Sequence, residues 1–247
     1  MSMAAAISSG LFYSGNATLP EVTASCSTGN CTWEDYETLG ICAEVANITS
    51  LLNNTSGKVD INGYLNFLPN GVGIHIVEGG DLGGLMFMAS ANTSYPSIAF
   101  PEMSLPVADF FLIAATKEQG MNLGAFAMEI VMFFCVQKLR TSVISGVQSS
   151  FMSSWSANFT PAPIIFDDYT TTVKGEQYNV SAQAAGYVQA YSDDLFQGYF
   201  GQSADGTGPP YASDAVRSFV NARNNPPYDI AAISGVVANL ATSMSNS

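Results

Sequence analysis

Between Ala125 and Val143 the chain is rich in β-branched and aromatic residues and carries one carboxylate, Glu129. Coiled as a helix, this run would be apolar all round. Extended, it places Met128, Ile130, Met132, Phe134 and Val136 on one face and Glu129, Val131, Phe133, Cys135 and Gln137 on the other. The pattern predicts a central strand buried on both faces. Ile61–Phe67 and Val72–Val77 alternate as strands do, and Leu85–Ala89 follows the glycine-rich turn Glu78–Gly84, so a hairpin of 72–77 with 85–89 is expected. Phe110–Ala114 reads as a short apolar strand. Ile164–Phe166, Tyr169–Val173 and Tyr178–Ser181 are expected to complete a sheet.

The pattern changes after residue 182. Tyr187, Tyr191, Leu195, Tyr199 and Phe200 recur at helical spacing, which predicts an aromatic stripe packed on the sheet. Ser213 is placed to cap a short helix ending at Asn224-Asn-Pro-Pro227. Asp229 is placed to cap a last helix with the apolar face Ile230, Ile233, Val237, Leu240 and Met244. Residues 1–57 are rich in Ser, Thr, Asn and Gly and read as a stapled cap with little regular structure beyond a short helix near Ala43–Leu52. The expected fold is α+β in one ectodomain, 1–247: a Cys- and sequon-rich cap (1–57), a mainly antiparallel β core (58–182) and a helical part (183–247) packed on the sheet.

Composition adds an address. Charged residues make up 11% of the 247, against about 25% in typical soluble domains, and mean hydropathy is +0.20. Eight Asn residues head Asn-x-Ser/Thr triplets, and Asn53 and Asn54 overlap. Glycans at Asn16, Asn30, Asn47, Asn53, Asn92, Asn158 and Asn179 would solubilise a surface that charge does not, although a chain rich in Ser and Thr also makes some sequons by chance. Cys26, Cys31 and Cys42 frame one of these sequons, so both signals point to the lumen of the secretory pathway or the cell exterior. The net charge of −13, with no Lys or Arg before Lys58, argues against nucleic acid and against electrostatic docking on anionic lipid. No run is long enough to span a bilayer, and the N-terminus lacks a leader's pattern. The expectation is therefore an ectodomain tethered to the membrane by segments outside this sequence.

Candidate chemistry is sparse. His75 is the single histidine, so any Ser-His-Asp or Cys-His scheme needs it; a histidine in an alternating strand also serves structure. Glu129 sits in an apolar strand, where burial would raise its pKa and suit a general acid; hydrogen bonding to backbone is the structural alternative. Asp109, before Phe110-Phe-Leu-Ile113, is a second candidate of the same kind. Asp60-Ile-Asn-Gly63, Asp167-Asp168 and Asp193-Asp194 lack the further ligands of a metal site. Gly79–Gly84 lacks the Lys and setting of a phosphate loop. No metal and no cofactor are expected. The Met and Phe content suits either a packed core or an adaptable apolar pocket.

The blocks Cys26-Ser-Thr-Gly-Asn-Cys-Thr-Trp33, Leu39-Gly-Ile-Cys42, Cys135-Val-Gln137 and Val237-Ala-Asn-Leu-Ala-Thr-Ser-Met244 resemble a family of fungal multi-pass membrane proteins known only as a domain of unknown function. The resemblance spans nearly the whole chain and implies a luminal or extracellular domain flanked by membrane helices, with no assigned activity. This chain has Val45 and Ile130 where the family typically has cysteines. If a bridge joins those positions in the family, Val45 and Ile130 should lie within disulfide reach of each other. Of the three possible pairings of four cysteines, that would favour Cys42–Cys135 with Cys26–Cys31. The implied function is a non-catalytic module binding an apolar small molecule or a partner protein. The alternative is a cofactor-independent cyclase or isomerase acting on a hydrophobic metabolite at the membrane, with Glu129 or His75 as acid or base.

Overall fold

The computed structural model describes residues 24–55, 63–77, 85–89, 95–103, 105–117, 123–161, 168–196, 198–200, 213 and 230–245. The long apolar run is one extended strand, Leu123–Ile144 (β8), about which the molecule is built. Along one side it pairs antiparallel with Pro106–Lys117 (β7) and then, end to end with that strand, Val147–Ser156 (β9). Along the other side it pairs with Tyr36–Asn47 (β2) and the two-residue Cys31–Thr32 (β1). Leu85–Ala89 (β6) continues the sheet beyond β7, and Gly198–Phe200 (β13) continues it beyond β6. The fold is α+β with an antiparallel sheet at its centre, as expected.

Alternation along β8 divides the core. Phe126, Met128, Ile130 and Met132 join Ile41, Phe110 and Leu112 under two helices, Ala182–Leu195 (α1) and Ile230–Ser245 (α2). The predicted face of α2 is the buried one: Ile233, Val237, Leu240 and Met244, with Ile230 partly covered. On the opposite face, Val131, Phe133, the Cys42–Cys135 pair and Ala157 pack under Phe100 and Met103. Farther along, Phe111, Ile113 and Ala127 meet Ile48, Leu68 and Val72. Between these two clusters runs the segment 95–103, which holds Tyr95, Ile98, Phe100 and Met103 against the sheet.

Two small sheets lie beside the main one. Asn53–Thr55 (β3), Gly63–Phe67 (β4) and Gly73–Val77 (β5) form the first; Thr160–Pro161 (β10), Tyr169–Val173 (β11) and Glu176–Val180 (β12) form the second. The hairpins β8–β9 and β11–β12 turn through Ser145-Gly146 and Lys174-Gly175. All four residues have positive φ, the geometry of a two-residue turn that matches strand twist.

Four expectations need correction. Tyr36–Asn47 is a twelve-residue strand paired with β8 for its whole length, where a loose cap and a helix near Ala43–Leu52 were expected; the helical element there is one turn, Thr49–Leu51. β5 pairs with β4 and β6 with β7, so the 72–77/85–89 hairpin does not form. Tyr199 and Phe200 are extended in β13, paired with β6, where the helical stripe was expected to continue. Tyr187 and Tyr191 of α1 are 68% and 40% exposed, while Ala185, Val188, Leu195 and the following Phe196 pack inward. The turn 78–84, Ile164–Phe166, Asp229 and the helix expected after Ser213 lie outside the described residues.

Candidate functional site

Glu129 lies at the middle of β8, opposite Phe111 on β7 and Ala46 on β2. Its side chain is fully buried. A carboxylate in such a place is costly unless hydrogen-bonded, and segment 95–103 supplies the donors. Ser97 Oγ donates to Oε1. The Ile98 amide reaches both oxygens, at 3.2 and 3.1 Å, and the Ala99 amide donates to Oε2 at 2.7 Å. Ser97 Oγ in turn accepts from the Phe100 amide at 2.9 Å, and the Met103 amide closes a turn on Phe100 O at 3.0 Å. The segment is therefore held by a buried carboxyl group at its centre and by apolar side chains on either side.

Asp109 pairs with Val131, one step along from Phe111–Glu129, so the two carboxyl groups are diagonal neighbours on one face. Asp109 is 8% exposed, and its Oδ1 has no hydrogen-bond partner among the described residues. Burial, then the charge of Glu129 and a hydrogen bond to it, push the Asp109 carboxyl up to about 7. The pair thus holds a proton on Asp109 through the mildly acidic range. Chemically it is a buried acid with a proton to give, and segment 95–103 stands over it.

The other sequence candidates fall elsewhere. β5 places His75 opposite Leu65 in the small β3–β4–β5 sheet, apart from the sheet that carries Glu129; its side chain lies outside the described residues. Cys26 is bridged to Cys31 and Cys42 to Cys135, which points to an oxidising, extracytoplasmic environment. Of the sequon asparagines, Asn30, Asn47, Asn53, Asn158 and Asn179 are exposed; Asn16 and Asn92 lie outside the described residues. Among the described residues no three His, Cys, Asp or Glu side chains group as metal ligands, and no helix is long and apolar enough to cross a membrane. Among the described residues, Lys138 and Arg140 form ion pairs with Asp35, and Lys174 with Glu37.

Two surface features did not stand out in the sequence. An open groove of about 340 Å³ is lined by residues 99–103 on one side and by Trp155, Ala157 and Asn158 on the other. Neither Glu129, Asp109 nor His75 lines it. Beside it runs β9, which among the described residues has no strand partner but β8, while the Ala24 amide donates to Gln148 Oε1 near its start at 2.7 Å. Around that strand Ile144, Val147, Phe151 and Met152 are 66%, 70%, 53% and 45% exposed. The strand's alternation of Ser with larger residues was the one readable signal. Comparison with protein-family models, with curated proteins and with solved structures finds no match.

Proposed function

We propose that this chain is the glycosylated extracytoplasmic domain of a membrane protein and acts as a non-catalytic binding module, docking a partner protein by strand addition on β9. The observation that carries this reading is that β9 pairs with β8 alone among the described residues. Natural sheet edges are blunted by charge, proline or cover. Val147–Ser156 contains no charged residue and no proline, only an irregularity in register near Ser153, and it exposes large apolar side chains. A strand of this composition with no second strand partner among the described residues suits a partner that adds a strand and seats alternate side chains. Sequons flank the hairpin and spare it. Asn30, whose Oδ1 accepts from the Ser145 amide at 2.8 Å, stands at the turn, and Asn158 follows the far end. The buried acid supports the same reading, because the Glu129 oxygens are taken up in holding segment 95–103.

The cyclase or isomerase reading draws on one observation, the proton held by Asp109. It requires segment 95–103 to lift and admit a substrate.

Photo-crosslinking separates the two. A photoreactive residue at 149 or 151, in the membrane-bound full-length protein, should trap one discrete protein partner. The same residue at 187, an exposed apolar position on α1, should not. Val147→Lys with Phe151→Lys should abolish the adduct while leaving the unfolding midpoint close to the parent. Equal labelling at 151 and 187, or a hydrophobic metabolite recovered with the purified domain and altered by it, would overturn the binding reading.

A further inference from the structure

We propose that Asn158 carries an N-linked glycan whose first N-acetylglucosamine lies in the groove between Trp155 and segment 99–103. The proposal rests only on the extracytoplasmic part of the reading above and, although Trp155 belongs to β9, uses the groove beside that residue rather than the exposed side chains from Ile144 to Met152.

The backbone presents Asn158 as an acceptor. After β9 the chain turns sharply, with the Phe159 amide bonded to Ala157 O at 2.9 Å. This i to i+2 bond makes Asn158 the apex of a three-residue turn. Ala157 and Phe159 on either side are 9% and 3% exposed, each held in its own apolar cluster. Asn158 is exposed between them, and Thr160, which completes the sequon, is exposed at the start of β10. Other described sequons are exposed too, but Asn158 also lines a groove.

The groove suits a sugar. Trp155 stands three residues before the acceptor, 39% exposed, and its ring is steadied by Phe133 at 5.1 Å between centroids. A pyranose presents axial C–H bonds on one face, and the negative face of an indole attracts them. Phe100, Pro101 and Met103 form the opposite wall, and exposed Glu102 at the rim offers a carboxylate to sugar hydroxyls. At about 340 Å³ the space is at the small end of ligand sites, which matches one sugar ring better than a large ligand. A sugar bonded to Asn158 also needs no separate association step, so modest contacts are enough to seat it.

The transfer itself is performed by a glycosyl transferase of the secretory pathway from a lipid-pyrophosphate oligosaccharide. A bond forms between Asn158 Nδ2 and C1 of the N-acetylglucosamine. The C1–O bond to the pyrophosphate breaks, the pyrophosphate leaves with the electron pair, and one proton leaves Nδ2.

The test begins with the protein from a glycosylating host. Peptide mapping should find Asn158 occupied. An endoglycosidase that leaves a single N-acetylglucosamine should give protein that melts about 2–4 °C above the Asn158→Gln variant, the shift that about 1 kcal/mol produces at this chain length. In a Trp155→Leu background, the same comparison, sugar on against sugar off, should show less than half that shift; comparing within one background removes the cost of losing the Trp155–Phe133 contact. As a second readout, the N-acetyl methyl resonance of the Asn158 sugar should move upfield in the parent through the indole ring current. Three results overturn the proposal: Asn158 empty while other sequons are filled, an equal melting shift in both backgrounds, or an unshifted methyl signal. If no sequon is filled, the extracytoplasmic reading falls with it.

Discussion

Val45 of β2 stands directly opposite Ile130 of β8. The backbone of Ile41, whose N–H and C=O face away from β8, sets the phase of that ladder. Its amide donates to Ser245 Oγ at 2.7 Å, away from the β8 backbone, and its carbonyl accepts from the Gln137 side chain at 2.9 Å. Ile41–Phe134 is therefore a non-hydrogen-bonded pair, and so, two and four residues on, are Ala43–Met132 and Val45–Ile130. In such pairs the side chains approach most closely, with Cα atoms roughly 4.5 Å apart, inside the range that a disulfide spans.

A bridge should therefore form at this place. Replacing Cys42 and Cys135 with Ala is expected to cost roughly 4–5 kcal/mol in the chain-entropy picture of a long closed loop. Adding Val45→Cys and Ile130→Cys to that variant should restore most of the loss, since the new loop is nearly as long. Urea midpoints before and after reduction, with thiol titration, check it. Free thiols at 45 and 130 in the oxidised protein would show the register to be wrong.

Gly40 lets Gln137 cross the strand. A Cβ at residue 40 would fall 2.7–2.8 Å from the Gln137 amide atoms. Gln137 lies over that gap to reach Ile41 O and Ser245 Oγ, tying β8 to the far edge of β2 and to α2. Gly40→Ala should displace the amide and cost about 1–3 kcal/mol, the penalty of leaving buried polar groups unmade. In a Gln137→Ala background the same change should cost much less. A double-mutant cycle with near-additive values would rule out this coupling.

The segment over Glu129 should be sensitive to its donors. Ser97→Ala removes one hydrogen bond to a buried carboxylate and should cost about 1.5–3 kcal/mol. Glu129→Gln should cost more, because an amide nitrogen would then face the Ile98 and Ala99 donors. Both variants should be cut faster by protease within 95–103, and unchanged cleavage in Glu129→Gln would contradict the anchoring role.

Stability should carry the mark of Asp109. Its carboxyl is raised from 3.8 to about 7, first by burial and then by Glu129. Between these values the folded protein keeps a proton that the unfolded chain has lost, so stability is greatest below pH 4, falls as pH rises and levels off above about 7. Asp109→Asn should flatten that slope and raise stability at pH 8. Asp35, held below its ordinary range by Arg140 and Lys138, works in the other direction, its contribution fading as pH drops below about 4. Urea midpoints from pH 4 to 9 for parent and variant decide the matter; the same slope in both would dismiss the Asp109 assignment.

How far the sequence could be read follows from the kind of signal each element carries. β8 was legible because period-two alternation with both faces apolar has one economical solution. α2 was legible because its apolar positions recur at helical spacing and all five meet the core. β2 was not. Tyr-Glu-Thr-Leu-Gly-Ile-Cys-Ala-Glu-Val-Ala-Asn mixes residues with little strand preference, and it is extended because β8 offers a ladder along its whole length. In α1 the Tyr spacing marked a helix and misjudged the buried side, since Ala185, Ser192 and Phe196 turn inward. Glu129 and Asp109 stood out as acids in apolar runs. Their donors did not, because the amides of Ile98 and Ala99 come from a segment 30 residues away and backbone N–H groups leave no trace in residue type.

By itself the sequence determined what depends on local order and composition: a two-faced central strand, an amphipathic last helix, a set of cysteines suited to an oxidising environment, and two carboxyl groups in apolar surroundings. The tertiary structure decided which strands pair, which cysteines meet, which acid is anchored and which is pushed toward its neutral form, and which strand has a single partner among the described residues. Those outcomes turn on register, and register is set by the summed fit of many distant side chains to one another, which no local window contains.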